Sequence, residues 1–221
     1  MSSNPARIAV GNNSKLGKGF GNFNLPILET CPGATEMCRR VCYGRKGNFL
    51  FPTVQNRANL NYEGAQRSDF VATIANQIRR SKMKVLRLHS TGDFFDPNYA
   101  LAWASIALAC PSVQFGAYTR SWSVSTKFVS RLREFADLPN VQLFLSVDEG
   151  DSLCSSPSPD LFRFRFAYMN REWQRPAGSL RCPNQVQKER GKSASELVTC
   201  KRCMICYKPA AKYQDVEFKI H

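Results

Sequence analysis

The chain has no long apolar run. Its most apolar stretch, "YALAWASIALAC" at 99–110, meets Pro111 and falls well short of the roughly 20 residues that a membrane-spanning helix needs. The N-terminus, "MSSNPARIAVGNNSKLGKGF", has no continuous apolar core. That excludes a secretory signal and reads as a cytoplasmic protein with no membrane partner. Acidic residues are few, 17 against 31 Lys and Arg, and the polyanion that a cell most often offers such a chain is nucleic acid. Disorder is excluded too, because 43% of the residues are hydrophobic and only 22% are charged.

The excess positive charge lies at the two ends. Lys and Arg outnumber Asp and Glu by 8 to 2 over residues 1–60 and by 13 to 5 over residues 161–221. Between them the two kinds balance at 10 and 10. This pattern suggests basic surfaces flanking a neutral core.

That middle part alternates helix and strand. "KVLRLHS" (84–90), "SVQFGAYT" (112–119), "VQLFLSVD" (141–148) and "FRFRFAYM" (162–169) have the β-branched and aromatic content of buried strands. Before the first lies "SDFVATIANQIRR" (68–80), which puts Phe70, Ile74 and Ile78 on one helical face with Ser68 or Asp69 as N-cap. "DPNYALAWASIALA" (96–109) opens with a capping Asp96 and Pro97 in the first turn. "SVSTKFVSRLREFA" (123–136) supplies the third helix, which ends near Pro139.

The first three strands start 28 and 29 residues apart, the rhythm of right-handed βαβ units in a parallel sheet. The expected fold is α/β: parallel βα repeats forming a partial or distorted TIM-like barrel, or an open sheet, since a complete barrel takes about 250 residues. Residues 1–67 and 170–221 read as irregular, cysteine-rich segments packed on the 68–169 core of one domain.

In parallel architectures ligands sit at the carboxyl ends of the strands. Here those ends carry His89, Asp93, Arg120, Asp148, Glu149 and Arg171. His89 and Asp93 are candidates for a base and its orienting partner, or for metal ligands alongside Asp148. The plainer alternative is a satisfied polar histidine and a loop-capping Asp93 after Gly92.

Nine cysteines, an odd number, argue against a disulfide framework in a reducing cytosol. Cys110 ends an apolar helix and reads as a core thiol. Cys154 has no ligand partner near it in sequence. Cys182, Cys200, Cys203 and Cys206 have gaps of 17, 2 and 2. Zinc sites usually offer two separated pairs. A C-x2-C-x2-C run with a remote cysteine beside proline, here Cys182 before Pro183, instead matches the ligation of a [4Fe-4S] cluster. Zinc is the alternative, since thiolates suit both.

Cys31, Cys38 and Cys42 have gaps of 6 and 3, which match no common zinc pattern and differ from the C-x3-C-x2-C loop of radical-SAM enzymes. A second metal, extra ligands to the first, and buried thiols stay open for them.

Several motifs together, "NSKLGKG", "LPILETCPGATEMCRRVCYG", "LRLHSTGDFFDPNYALAW", "FGAYTRS", "LSVDEG" and the terminal "CKRCMICY", resemble the gene product 88 family of tailed phages over roughly residues 13–208. The resemblance implies a phage-encoded protein made in the host cytoplasm, with cysteines that work together. It is also consistent with a distant similarity to iron–sulfur barrels, and it implies no reaction.

The leading functional expectation is an iron–sulfur protein that binds or processes nucleic acid, its cluster structural. Arg120, Arg171, Lys201, Arg202 and Lys208 are the phosphate contacts, and His89, Asp93 and Asp148 the catalytic candidates if it is a nuclease. A redox or radical enzyme acting on a small molecule, and a zinc-stabilised host-interaction protein, are the alternatives.

Overall fold

The computed structural model describes residues 3–13, 15–148, 161, 164–172, 178–208 and 215–220. Glu149 and Cys154 lie outside them. The strands are β1 (Ala9–Asn13), β2 (Gly17–Phe23), β3 (Val85–Leu88), β4 (Gln114–Thr119), β5 (Val141–Asp148), β6 (Arg165–Asn170), β7 (Leu180–Arg181) and β8 (Val216–Lys219). The helices are α1 (Glu36–Val41), α2 (Pro52–Ala65), α3 (Phe70–Arg80), α4 (Pro97–Ala109), α5 (Thr126–Ala136), α6 (Pro183–Glu189) and α7 (Cys200–Cys203).

All eight strands join one sheet in the order β1-β2-β3-β4-β5-β6-β8-β7. From β2 onward every neighbouring pair is parallel, and only β1 is antiparallel. The parallel βα core is therefore as the spacing suggests. Among the described residues, however, the pairing runs from edge to edge and does not close β1 on β7. The architecture is a mixed α/β fold on a mostly parallel sheet, and the TIM-like part of the expectation is not established by it.

The three expected helices form, though only the second is capped as expected. Asp96 accepts from the Asn98 N–H (2.7 Å) at the start of α4, and Ser125 caps α5 through the Phe128 N–H. Asp69 stands at the N-cap of α3 without capping it, because its carboxylate takes the Asn4 amide at 2.7 Å instead. Phe70, Ile74 and Ile78 of α3, Trp103 of α4, and Phe128, Leu132 and Phe135 of α5 share one core with Leu86, Leu88, Phe115, Ala117, Leu143 and Leu145. These strand residues alternate along β3, β4 and β5, so the three helices cover a single face of the sheet.

The terminal segments are more ordered than the sequence suggests. Residues 1–67 contribute β1, β2 and the 14-residue α2, and residues after 169 contribute β7 and β8. β2 is "GKGFGNF", whose glycines are poor strand formers. α2 buries only Ala58, Asn61 and Gly64. It is anchored by Asn61, which accepts from the Arg7 N–H and donates to the Asn24 carbonyl.

Candidate functional site

The residues between the core-facing ones point to the opposite face of the sheet. There Arg87 of β3, Tyr118 of β4, Ser146 and Asp148 of β5, Met169 of β6 and Phe218 of β8 line a cavity of about 600 Å³. All seven cysteines of the two sequence clusters line it as well: Cys31, Cys38 and Cys42, and Cys182, Cys200, Cys203 and Cys206. Each of the seven is a free, partly buried thiol.

The C-terminal set is held by backbone hydrogen bonds to β8 and to the loop entering β2. Cys182 precedes α6 and donates from its N–H to the Glu217 carbonyl of β8 (3.0 Å). Cys200 and Lys201 donate to the carbonyls of Lys15 and Leu16 in the loop entering β2. After α7, Met204 takes a left-handed conformation (φ 58) and bonds back to the Cys200 carbonyl. This is an αL helix stop. It turns the chain so that Cys206 and Tyr207 return to the sheet. Tyr207 is buried edge-on against Phe20 (5.1 Å) and lies over Gly116, where a Cβ would come within 2.3 Å of its ring. Gly116 makes this close approach possible.

The N-terminal set is held by side chains. Thr35 caps α1, accepting from the Cys38 N–H (3.0 Å), while its hydroxyl donates to Asp148. Asp148 pairs with Arg120 at 3.0 Å, both side chains buried at 7% and 6% exposure. Arg120 also donates to the Gly33 and Ser146 carbonyls. Gly33 sits so close that a Cβ there would be 2.1 Å from the Arg120 carbonyl oxygen. The loop carrying Cys31 and Cys38 is thus fastened to the ends of β4 and β5 through buried polar groups.

These bonds specify the work of the strand-end residues. Asp93 is buried and accepts from the N–H groups of Phe94 and Arg120, both at 2.7 Å. Burial pushes its carboxyl up to about 6 against those bonds. It is loop-organising, as the plainer sequence reading has it, and it lines the cavity. His89, 3% exposed, shares a 3.0 Å hydrogen bond between Nε2 and the Tyr99 hydroxyl. Burial, and then the charge of Arg87, hold its ring neutral and push it down to about 3. Its Nδ1 is buried with no partner among the described residues.

Arg120 is buried and ion-paired, which removes it from any surface a polyanion touches. Arg171, Lys201, Arg202 and Lys208 are exposed. Cys110 is buried in the main core, its thiol 4.0 Å from the Ala75 carbonyl.

Sequence reasoning missed Arg87, although "VLRLHS" signals it. In a buried strand Arg87 falls on the face opposite Leu86 and Leu88, whereas His89 lies past the end of β3 with a left-handed backbone (φ 54). Tyr118 and Tyr207, the other large groups here, read as ordinary core aromatics.

The two cysteine sets differ in electrostatics. Burial raises Cys31 to about 12 and Cys38 to about 11, and the carboxylates of Asp93 and Asp148 respectively add to the effect. At the other end burial raises Cys206 to about 12 and also raises Cys200, but Lys15 and Arg87 oppose it at Cys200, as Arg87 does at Cys206. Cys182 raises Cys200, Cys203 and Cys206 electrostatically, and all four line the one cavity. Among the described residues no three His, Cys, Asp or Glu side chains converge closely enough to hold a metal ion.

Comparison with known proteins places this chain among phage proteins. The chain is 28% identical over 228 residues to the Gene 88 protein of Mycobacterium phage L5, covering 92% of this chain and 89% of the relative. It is 26% identical to the Gene 88 protein of Mycobacterium phage D29 with the same coverage. No solved structure matches. The sequence profile of Gene product 88 matches residues 3–209, and the chain therefore belongs to the gene product 88 family of bacteriophages.

Proposed function

We propose that this protein is an iron–sulfur protein of the host cytoplasm. In this reading Cys182, Cys200, Cys203 and Cys206 ligate a [4Fe-4S] cluster at the wall of the cavity, and the cavity takes a small molecule for redox or radical-type chemistry. The observation that carries it is that seven cysteines from opposite ends of the chain open onto one cavity of about 600 Å³, within the usual range for small-molecule sites.

The donor set fits a cluster better than a single ion. Zinc sites usually offer two separated pairs of ligands, whereas a C-x2-C-x2-C run with Cys182 before Pro183 matches cluster ligation. Lys15 and Arg87 beside Cys200 offset the negative charge of thiolate ligation, and a bound cluster would supply one-electron chemistry there. We read the sequential parallel winding as a partial barrel, with the cavity on the sheet face opposite α3, α4 and α5.

The test is anaerobic purification followed by visible and electron paramagnetic resonance spectra before and after reductant. A brown protein with a reducible signal is expected. A colourless protein with stoichiometric zinc would replace this account with the zinc-stabilised interaction protein.

Nucleic-acid binding is kept as a second reading because Lys201 and Arg202 are exposed on the very helix that carries Cys200 and Cys203. Binding of labelled DNA or RNA at low salt, lost at high salt, would support it. A hydrolytic version is weaker, since Asp148 is spent on Arg120 and Thr35 and Asp93 on backbone N–H groups.

A further inference from the structure

Arg87 is the cavity's unexplained cation. It projects from β3, in the sheet interior, and has no carboxylate partner among the described residues. Its Nε donates to the neighbouring Leu88 carbonyl at 3.2 Å. Its guanidinium stacks on the Tyr118 ring at 4.3 Å, and the Tyr207 hydroxyl lies beside it. The two nearby carboxylates are engaged elsewhere, Asp148 with Arg120 and Asp93 with backbone N–H groups. A guanidinium is always charged and carries five donors in a rigid fork. Withdrawing it from water without an anion is costly.

A second group points the same way. His89 follows the end of β3 with a left-handed backbone (φ 54), and it lines the same cavity while its ring packs on Phe94 and Tyr99. One ring nitrogen is spent on Tyr99, and the other is buried without a partner among the described residues. Unsatisfied buried polar atoms are rare in folded proteins, and an absent ligand group is one physical reason for one. Tyr43, Tyr118 and Phe218 give the remaining wall an aromatic character.

We infer that the cavity binds a small molecule bearing one anionic group, a carboxylate or a phosphate, which the Arg87 fork grips while His89 Nδ1 meets a hydrogen-bonding group on its body. The inference rests on the reading of the cavity as the working site, but it does not require the cluster. The competing anion is the thiolate set itself, because Cys200 and Cys206 both feel the charge of Arg87.

The probes are phenyl phosphate, benzoate and neutral benzyl alcohol, titrated into the purified chain by calorimetry and ligand-observed NMR. Iron, sulfide and zinc are quantified on the same samples. One or both anions should bind more tightly than benzyl alcohol, and Arg87→Met should weaken them at least about tenfold. Arg131→Met, which removes an exposed charge on α5, should leave binding unchanged. Should Arg87→Met fail to fold, Arg87→Lys keeps the charge without the fork and should still lose affinity.

Binding of an anion by a chain without iron would sustain this inference while removing the cluster. Equal binding of all three probes, or no loss on changing Arg87, would overturn it. So would a failure of both anions to bind in an iron-loaded chain whose cluster spectrum shifts in Arg87→Met, because Arg87 would then serve the thiolates.

Discussion

The two cysteine sets reach one cavity by different means, and the difference bears on which can carry an anionic cluster. The C-terminal set hangs from main-chain hydrogen bonds to β8 and to the loop before β2, with Lys15 and Arg87 nearby. The N-terminal set is tied down through Thr35, Asp148 and Arg120; Cys31 feels Asp93, and Cys38 feels Asp148 with Arg120 opposing it. Opposite charge favours a thiolate and like charge disfavours it. A negatively charged iron–sulfur group is therefore best placed at the C-terminal end. Cys31 and Cys38, raised by burial and these carboxylates, keep their protons unless a metal displaces them.

The largest expected effect tests this contrast outright. Cys203→Ser or Cys206→Ser should abolish iron binding, whereas Cys38→Ser should leave most of it, as measured by iron per chain. Equal losses at both ends would erase the distinction between the sets. Next comes the buried ion pair. Arg120→Met strands Asp148 without its partner and should cost about 3–5 kcal/mol in chemical denaturation. It should also loosen the N-terminal loop, so that Cys38 reacts faster with a thiol reagent while Cys203 does not. Gly116→Val acts on the other set by pushing Tyr207 off the sheet. An overpacking cost of about 3 kcal/mol is expected, accompanied by faster labelling of Cys206 and unchanged labelling of Cys38.

The smallest effect is in pH dependence, where two neighbours oppose each other. His89 is held neutral down to about 3, so below about pH 6.5 the unfolded chain takes up a proton that the folded one refuses, and acidification costs stability. Asp93 does the reverse. Its folded carboxyl protonates at about 6 and the unfolded one near its ordinary 3.8, so acidification through that window adds stability. The two slopes offset between roughly pH 4 and 6. His89→Gln should leave the Asp93 slope uncovered, and the variant should gain about 1 kcal/mol per pH unit relative to the parent as pH falls from 6 to 4. Parallel stability profiles for variant and parent would contradict this.

Much of the core was legible because its signals are local. "VQLFLSVD" is a strand buried on both faces, and Phe70, Ile74 and Ile78 repeat at helical spacing. The edges were not, because what holds them is remote. β2 contains three glycines and gains its place by pairing with β3, and α2 depends on Asn61 reaching Arg7 and Asn24. At the site, cysteine spacing singled out Cys182, Cys200, Cys203 and Cys206. It could not reveal that Cys31, Cys38 and Cys42 share their cavity, because that follows from Asp148 holding Thr35, 113 residues away in the chain. Nor could polarity alone separate Asp93 and Arg120, which fasten a loop, from Arg87, which faces the open space.

The most direct measurement is the iron, acid-labile sulfide and zinc content of the chain purified without oxygen, alongside Cys203→Ser. The account predicts about four iron and four sulfide per chain, little zinc, and loss of both iron and sulfide in the variant. Stoichiometric zinc without sulfide, or iron and sulfide that persist in Cys203→Ser, would contradict it.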